Sequence, residues 1–255
     1  MSMPLYVAPE QRMKDLADYA RKGIARGRSL VAATYTDGIA IVAENQSNTL
    51  RKISEIYDHI AFAGVGKYNE FDQLRIAGVR HADLKGYSYS REDVNARSLA
   101  NQYAQILGQI FTHDLKPMEV EILVAELGVD QDHDQMFHIL YDGTVRDENQ
   151  CTALGGEADP IVARLRETWQ PGLELDGALR VAIQALTGPD RQLAADDLEV
   201  GLLDRTTTLR RAFRRLEPDD LRERLGDLVA GTPSEDAGGP DLDPPPADDG
   251  AAASS

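Results

Sequence analysis

The sequence predicts an α+β protein built as a four-layer αββα sandwich, and three observations carry that prediction. Its apolar runs fall into blocks of adjacent short strands separated by pairs of helices, an order that suits two sheets packed face to face with helices outside. The strict alternation of strand and helix that would signal a doubly wound parallel sheet is missing. The chain has 255 residues, 42% of them hydrophobic, and no Pro/Gly/Ser-rich linker interrupts residues 10–230. One domain of that size has material for a single substantial core.

Each element follows from a local pattern. Residues 10–26 place Met13, Leu16, Ala20 and Ile24 on one helical face. The β-rich runs 29–35 and 39–43 are joined through Asp37-Gly38, a strong hairpin signal, and 53–57 with 60–65 form a second pair around Asp58-His59. A helix over 69–82 comes next. Another opens at Ser90, with Asp93 three residues on as a variant capping box, and carries Leu99, Tyr103, Ile106 and Ile110 as its stripe. After Pro117 the strand period returns over 120–127 and 136–141, followed by a turn at Asp142-Gly143 and a run around 151–154. Asp159-Pro160 reads as an N-cap with Pro at the first helical position, and Leu175, Leu179, Ile183 and Leu186 mark a further helix. Strands at 198–203 and 212–216 and a helix over 218–229 complete the order.

Charge divides the chain into a body and a tail. The formal charge is −16, and residues 231–255 hold six acidic side chains (Glu235, Asp236, Asp241, Asp243, Asp248, Asp249), five prolines and no basic residue. A segment with only Leu242 among large aliphatics cannot offset its ordering entropy, so its composition predicts a disordered acidic tail. A pI near 4.7 excludes a nucleic-acid groove, which needs clustered cations. No 18-residue apolar run exists to cross a membrane, the first ten residues lack the pattern of a secretory signal, and Cys151 has no second cysteine to pair with. A soluble protein of the reducing cytoplasm is expected.

Familiar catalytic patterns fail one by one. The alternating oxygens of Asp130, Asp132 and Asp134 suggest a calcium loop, but such a loop wants Gly at its sixth position and a bidentate acid at its twelfth, where Gln135 and Tyr141 stand. Gly64-Val65-Gly66-Lys67 lacks the flanking residues of either a Walker or a dinucleotide loop and reads as a strand-to-helix turn that uses glycine. Cys151 reads as an inert, buried thiol. His59, His81, His113, His133 and His138 show no metal-ligand spacing, and no nucleophile elbow is present. No metal or cofactor is implied, and the pattern points to assembly or interaction.

Five runs then carry a resemblance: Tyr19-Ala20-Arg21-Lys22-Gly23; Arg28-Ser29-Leu30-Val31; Thr36-Asp37-Gly38-Ile39-Ala40-Ile41-Val42-Ala43-Glu44; Leu50-Arg51-Lys52-Ile53-Ser54; and Ala63-Gly64-Val65-Gly66-Lys67-Tyr68-Asn69-Glu70-Phe71. Together with Lys116-Pro117-Met118-Glu119-Val120-Glu121 and Ala153-Leu154-Gly155-Gly156 they closely resemble a proteasome α-subunit of the actinobacterial type. The resemblance extends to roughly Leu216. It implies the αββα fold shared with N-terminal nucleophile hydrolases. It also implies homo-heptameric α-rings that cap a barrel of catalytic β-subunits, fourteen α with fourteen β, with a hexameric ATPase delivering tagged protein substrates.

The resemblance also assigns residues. In the β-subunits a threonine freed by cleavage supplies both nucleophile and base; its place here falls near Arg28 or Ser29, which implies a non-catalytic chain. Ser2, Met3, Pro4, Leu5, Tyr6, Val7, Ala8 and Pro9 would form a flexible gate (1–9) ahead of the subunit domain (10–230). Tyr6-Val7-Ala8 stands where archaeal and eukaryotic gates carry Tyr-Asp-Arg. The helix stripe Met13, Leu16, Ala20 and Ile24 would meet neighbouring subunits. Lys52 would pair with the C-terminal carboxylate of an ATPase subunit in a pocket between adjacent α-subunits. The competing expectation is a hydrolase activated by cleavage before Ser29.

Overall fold

In the computed structural model, residues 8–47, 49–189 and 191–231 are described; Ser2 to Val7 and the acidic tail past Gly231 lie outside them. The first sheet runs β10 (Phe213–Leu216), β9 (Leu198–Asp204), β2 (Gly38–Glu44), β1 (Leu30–Tyr35), β8 (Cys151–Leu154). The second runs β3 (Ile53–Tyr57), β4 (Ile60–Gly66), β5 (Val120–Glu126), β6 (Gln135–Ile139), β7 (Val145–Glu148). All pairings within the two sheets are antiparallel.

Strand alternation decides the layers. Leu30, Ala32, Ile39, Ile41 and Ala43 point inward and meet Ile53, Ala61, Ala63, Val65 and Leu123 of the other sheet in a core between the sheets. Their neighbours in sequence, Val31, Ala40 and Val42, point outward against α4 (Ala158–Thr168), α5 (Leu175–Thr187) and α6 (Pro218–Leu225). On the other side Phe62, Ile122 and Val124 pack against α2 (Tyr68–Ser88) and α3 (Ala96–His113). Because both faces of each sheet are covered, the central strands read as continuous apolar runs despite being antiparallel. Each large side chain so buried contributes about 1.5–3 kcal/mol. The predicted αββα sandwich is the observed one.

Several boundaries differ, each for a local reason. The Ser90–Asp93 capping box forms, but it closes a one-turn 3-10 helix, Arg91–Asp93, and α3 starts afresh from the Asn95 cap. The buried stripe of α3 is Leu99, Tyr103, Leu107 and Phe111, so Ile106 and Ile110 lie to its side and are half-buried. Helix α2 runs nearly two turns beyond the expected end, passing Gly86, where a Cβ would collide with the Tyr57 hydroxyl. The cap of α4 is Glu157, which leaves Asp159 and Pro160 inside its first turn. Strand β7 was not expected at all, since Val145-Arg146-Asp147-Glu148 is a polar edge strand with one apolar residue.

The glycine turn between β4 and α2 is built as the sequence suggests. Gly66 has φ of 105°, and a Cβ there would stand 2.0 Å from the Glu119 carbonyl oxygen. Gly66→Ala should therefore cost more than about 2 kcal/mol of stability, from strain and backbone displacement together. A urea midpoint equal to the parent's would contradict this assignment.

Candidate functional site

At one end of the sandwich β1 starts, β2 ends and both β3 and β9 begin. Lys52 enters this corner just before β3. Its Nζ donates to the Arg28 carbonyl at 2.8 Å and the Glu44 carbonyl at 2.9 Å, and its backbone N–H donates to Glu199 Oε2 at 2.8 Å. Burial pushes the ammonium down to about 8, and the Arg28 guanidinium adds to the shift while Glu44 and Glu199 oppose it. Glu44 is buried, and its carboxylate pairs with Arg28 and, at 3.2 Å, with Arg191.

The segment between β2 and β3 is held by its own side chains. Asn45 Nδ2 donates to the Leu50 carbonyl at 2.8 Å and to Glu199 at 2.7 Å, its Oδ1 accepts the Ser47 N–H, and Ser47 Oγ accepts the Leu50 N–H. Glu199, on β9 of the first sheet, also accepts the Ile53 N–H at 3.2 Å and Arg215 at 2.6 Å. One buried carboxylate thereby ties the two sheets together beside Lys52. Sequence reasoning missed Arg28, Glu44, Arg191 and Glu199 as parts of this corner. A signal was present for the acids: a single carboxylate inside an apolar strand run has to be partnered when buried.

The place expected for a nucleophile is occupied by a continuous chain. Helix α1 (Pro9–Ile24) runs into β1 through a turn in which Ala25 donates to the Arg21 carbonyl and Gly27 to the Ile24 carbonyl. The Lys52 ammonium is spent on the Arg28 carbonyl, next to Ser29, rather than on a hydroxyl. Thr206, Thr207 and Thr208 lie at the other end of the sandwich, in the connection from β9 to β10, where Thr206 Oγ1 donates to Asp204 at 2.6 Å.

The expected interface stripe on α1 is divided by the structure. Ala20 and Ile24 are fully buried in the core between the sheets, and Leu16 packs half-buried against it. For Ala20 and Ile24 the interface expectation is corrected, because a residue enclosed by its own domain has no surface to offer a neighbour. Residues 8–15 are exposed on every side, and Met13 is 40% exposed. Pro9 is the first residue of the helix and Ala8 its cap, so the segment ahead of the helix ends one residue before the expected boundary. Arg12 tethers the projecting part to the Asp114 carbonyl at 3.2 Å.

The remaining motifs resolve into structure. Asp130 caps a 3-10 turn, and Asp134 is engaged by Arg205 and the Gly128 N–H. Burial raises the Cys151 thiol above its ordinary range, which keeps it protonated.

Comparison with known proteins agrees with this geometry. The family model described as "Proteasome subunit" matches residues 24–201. A protein of Acidimicrobium ferrooxidans named "Proteasome subunit alpha" is 62% identical over 91% of this chain and all of its own length. Similarly named proteins of Kineococcus radiotolerans (57% identical, 91% of this chain, all of its own length) and Sanguibacter keddieii (55% identical, 97% of this chain, 96% of its own) align across nearly the whole sequence. With the sandwich, the helix ahead of β1 and relatives at this identity, the chain belongs to the proteasome subunit family, among its actinobacterial α-subunits.

Proposed function

We propose that this chain is a non-catalytic gate subunit of a cytoplasmic bacterial proteasome core. Seven copies form a ring, two such rings enclose the β-subunits, fourteen α with fourteen β, and residues Ser2 to Ala8 line the mouth. The exposed half of α1, around Met13, meets the neighbouring subunit. Lys52 receives the C-terminal carboxylate of a hexameric ATPase that delivers tagged proteins. One observation carries the non-catalytic reading: an intact, packed helix leads into β1 where a freed N-terminal nucleophile would have to stand. Cleavage before Ser29 would strip Ala20 and Ile24 from the core between the sheets and remove the Arg28 carbonyl that holds Lys52. Losing Ile24 alone is worth about 2–5 kcal/mol. The hydrolase alternative therefore conflicts with the packing.

An epoxyketone, which closes a ring across the hydroxyl and amine of an N-terminal threonine, or a β-lactone, which acylates its hydroxyl, tests this directly on the assembled particle. The β chain should take the label and this chain none. Label on a fragment beginning at Ser29 would overturn the reading.

A pH dependence follows for the docking role. A carboxylate partner favours protonated Lys52, whose value in the free chain is about 8. Docking affinity should be flat below that pH and fall by up to about tenfold per pH unit above it, because binding then has to recover a proton. Lys52→Arg, charged at every such pH, should abolish the dependence. A Lys52 particle with flat affinity through pH 9 would contradict the assigned contact.

A further inference from the structure

The described chain ends beside the Lys52 corner. A Cβ on Gly231 would stand 2.9 Å from the Ala194 nitrogen and 3.2 Å from the Gln192 carbonyl oxygen, and Ala194 and Ala230 form an antiparallel bridge. Gln192 follows Arg191, which reaches Glu44 at 3.2 Å; Glu44 also pairs with Arg28, and its carbonyl accepts Lys52 Nζ. Two guanidinium groups thus pair with one carboxylate, and the main-chain carbonyl of the same residue holds the Lys52 ammonium. Arg28 also donates to Gln46 Oε1 at 3.0 Å and Arg191 to the Leu186 carbonyl at 3.3 Å, and with side chains 40% and 46% exposed both guanidinium groups still face solvent, where a further anion can reach them.

The segment that leaves from this point is acidic between residues 235 and 249. Residues 232–255 contain Glu235, Asp236, Asp241, Asp243, Asp248 and Asp249 and neither Lys nor Arg. Glu235 lies four residues past Gly231, a reach of about 13–14 Å, and Asp243 lies twelve past it, a reach of about 40 Å. The first pair of carboxylates can therefore span the distance to Arg191, whose neighbour Gln192 already touches Gly231.

We infer that the acidic C-terminal segment docks on the Arg28, Lys52 and Arg191 cluster of its own chain and competes there with carboxylate partners. The competition rests on the docking role proposed for Lys52; the seat of the tail does not. Tethering supplies an effective concentration in the millimolar range, so contacts that are weak singly suffice to occupy the cluster. The segment then acts as a tunable brake on docking, released by salt or by a partner that binds more tightly.

The test uses the assembled particle with this chain stopped after Gly231, titrated with a fluorescent peptide of residues 232–249. Saturable binding is expected, weakened on the order of tenfold between about 50 mM and about 300 mM salt and several-fold by Arg191→Gln. No binding, or binding indifferent to Arg191→Gln, would overturn the seat. A second titration uses a peptide of the last residues of the ATPase, which should bind the tail-less particle several-fold more tightly than the full-length one. Equal affinities would overturn the competition. Failure of the ATPase peptide to bind either particle, while the tail peptide still binds, would remove the docking role of Lys52 and with it the competition, and support the seat of the tail.

Discussion

Glu199→Ala should lower the stability of the domain by about 3–5 kcal/mol, the range for breaking a buried ion pair from one side. Glu199 is 3% exposed and accepts from Asn45 Nδ2, the backbone N–H groups of Lys52 and Ile53, and the Arg215 guanidinium. Removing it strands a half-buried Arg215 and three further donors at the junction of the two sheets, and unsatisfied buried donors cost about 1–3 kcal/mol each before relaxation. Glu199→Gln keeps the shape but turns an N–H₂ toward existing donors, so an intermediate loss is expected. Urea unfolding of the purified chain measures both. A Glu199→Ala loss below about 1 kcal/mol would mean that water or rearrangement satisfies the corner, and that Lys52 is not held by this network.

The second large effect concerns Lys52 itself. Lys52→Ala should reduce ATPase-stimulated protein degradation by at least about tenfold, since one charge-assisted hydrogen bond is worth roughly 1.5–3 kcal/mol per site and the proposed ring would present seven sites. Hydrolysis of small peptides by the same particle should stay within about twofold. The difference matters because Lys52 also has a structural role, with its Nζ bound to the Arg28 and Glu44 carbonyls. A loss through unfolding or failed assembly would lower both activities together. Equal loss would sink the assignment. Lys52→Arg, which preserves charge but not the compact ammonium geometry, should recover part of the stimulated rate.

The sandwich was legible because its signals are local and repeated. The hairpin glycine Gly38, the short continuous apolar runs of β1, β2 and β4, and the helical spacing of Leu175, Leu179, Ile183 and Leu186 each specify an element without knowledge of its neighbours. What failed depended on tertiary context. The polar edge strand β7 exists because β6 offers it a ladder, and the Ser90 capping box was attached to the wrong helix because an identical signature closes a single turn. Helix α1 shows the same limit at the site: its stripe is one pattern in sequence, yet Ala20 and Ile24 face their own core while Met13 stands exposed. Lys52 was found through resemblance. Its partners were not, because Arg28, Glu44, Arg191 and Glu199 come from four distant places and only the fold brings them together.

The central claim is that this chain enters a ring uncut, with α1 in place. Native mass spectrometry of the chain co-expressed with its β partner, with the denatured mass recorded in parallel, tests that most directly. The account predicts fourteen full-length copies of 28.0 kDa alongside fourteen β chains. A chain shortened to begin at Ser29, or one that never joins a ring, would contradict it.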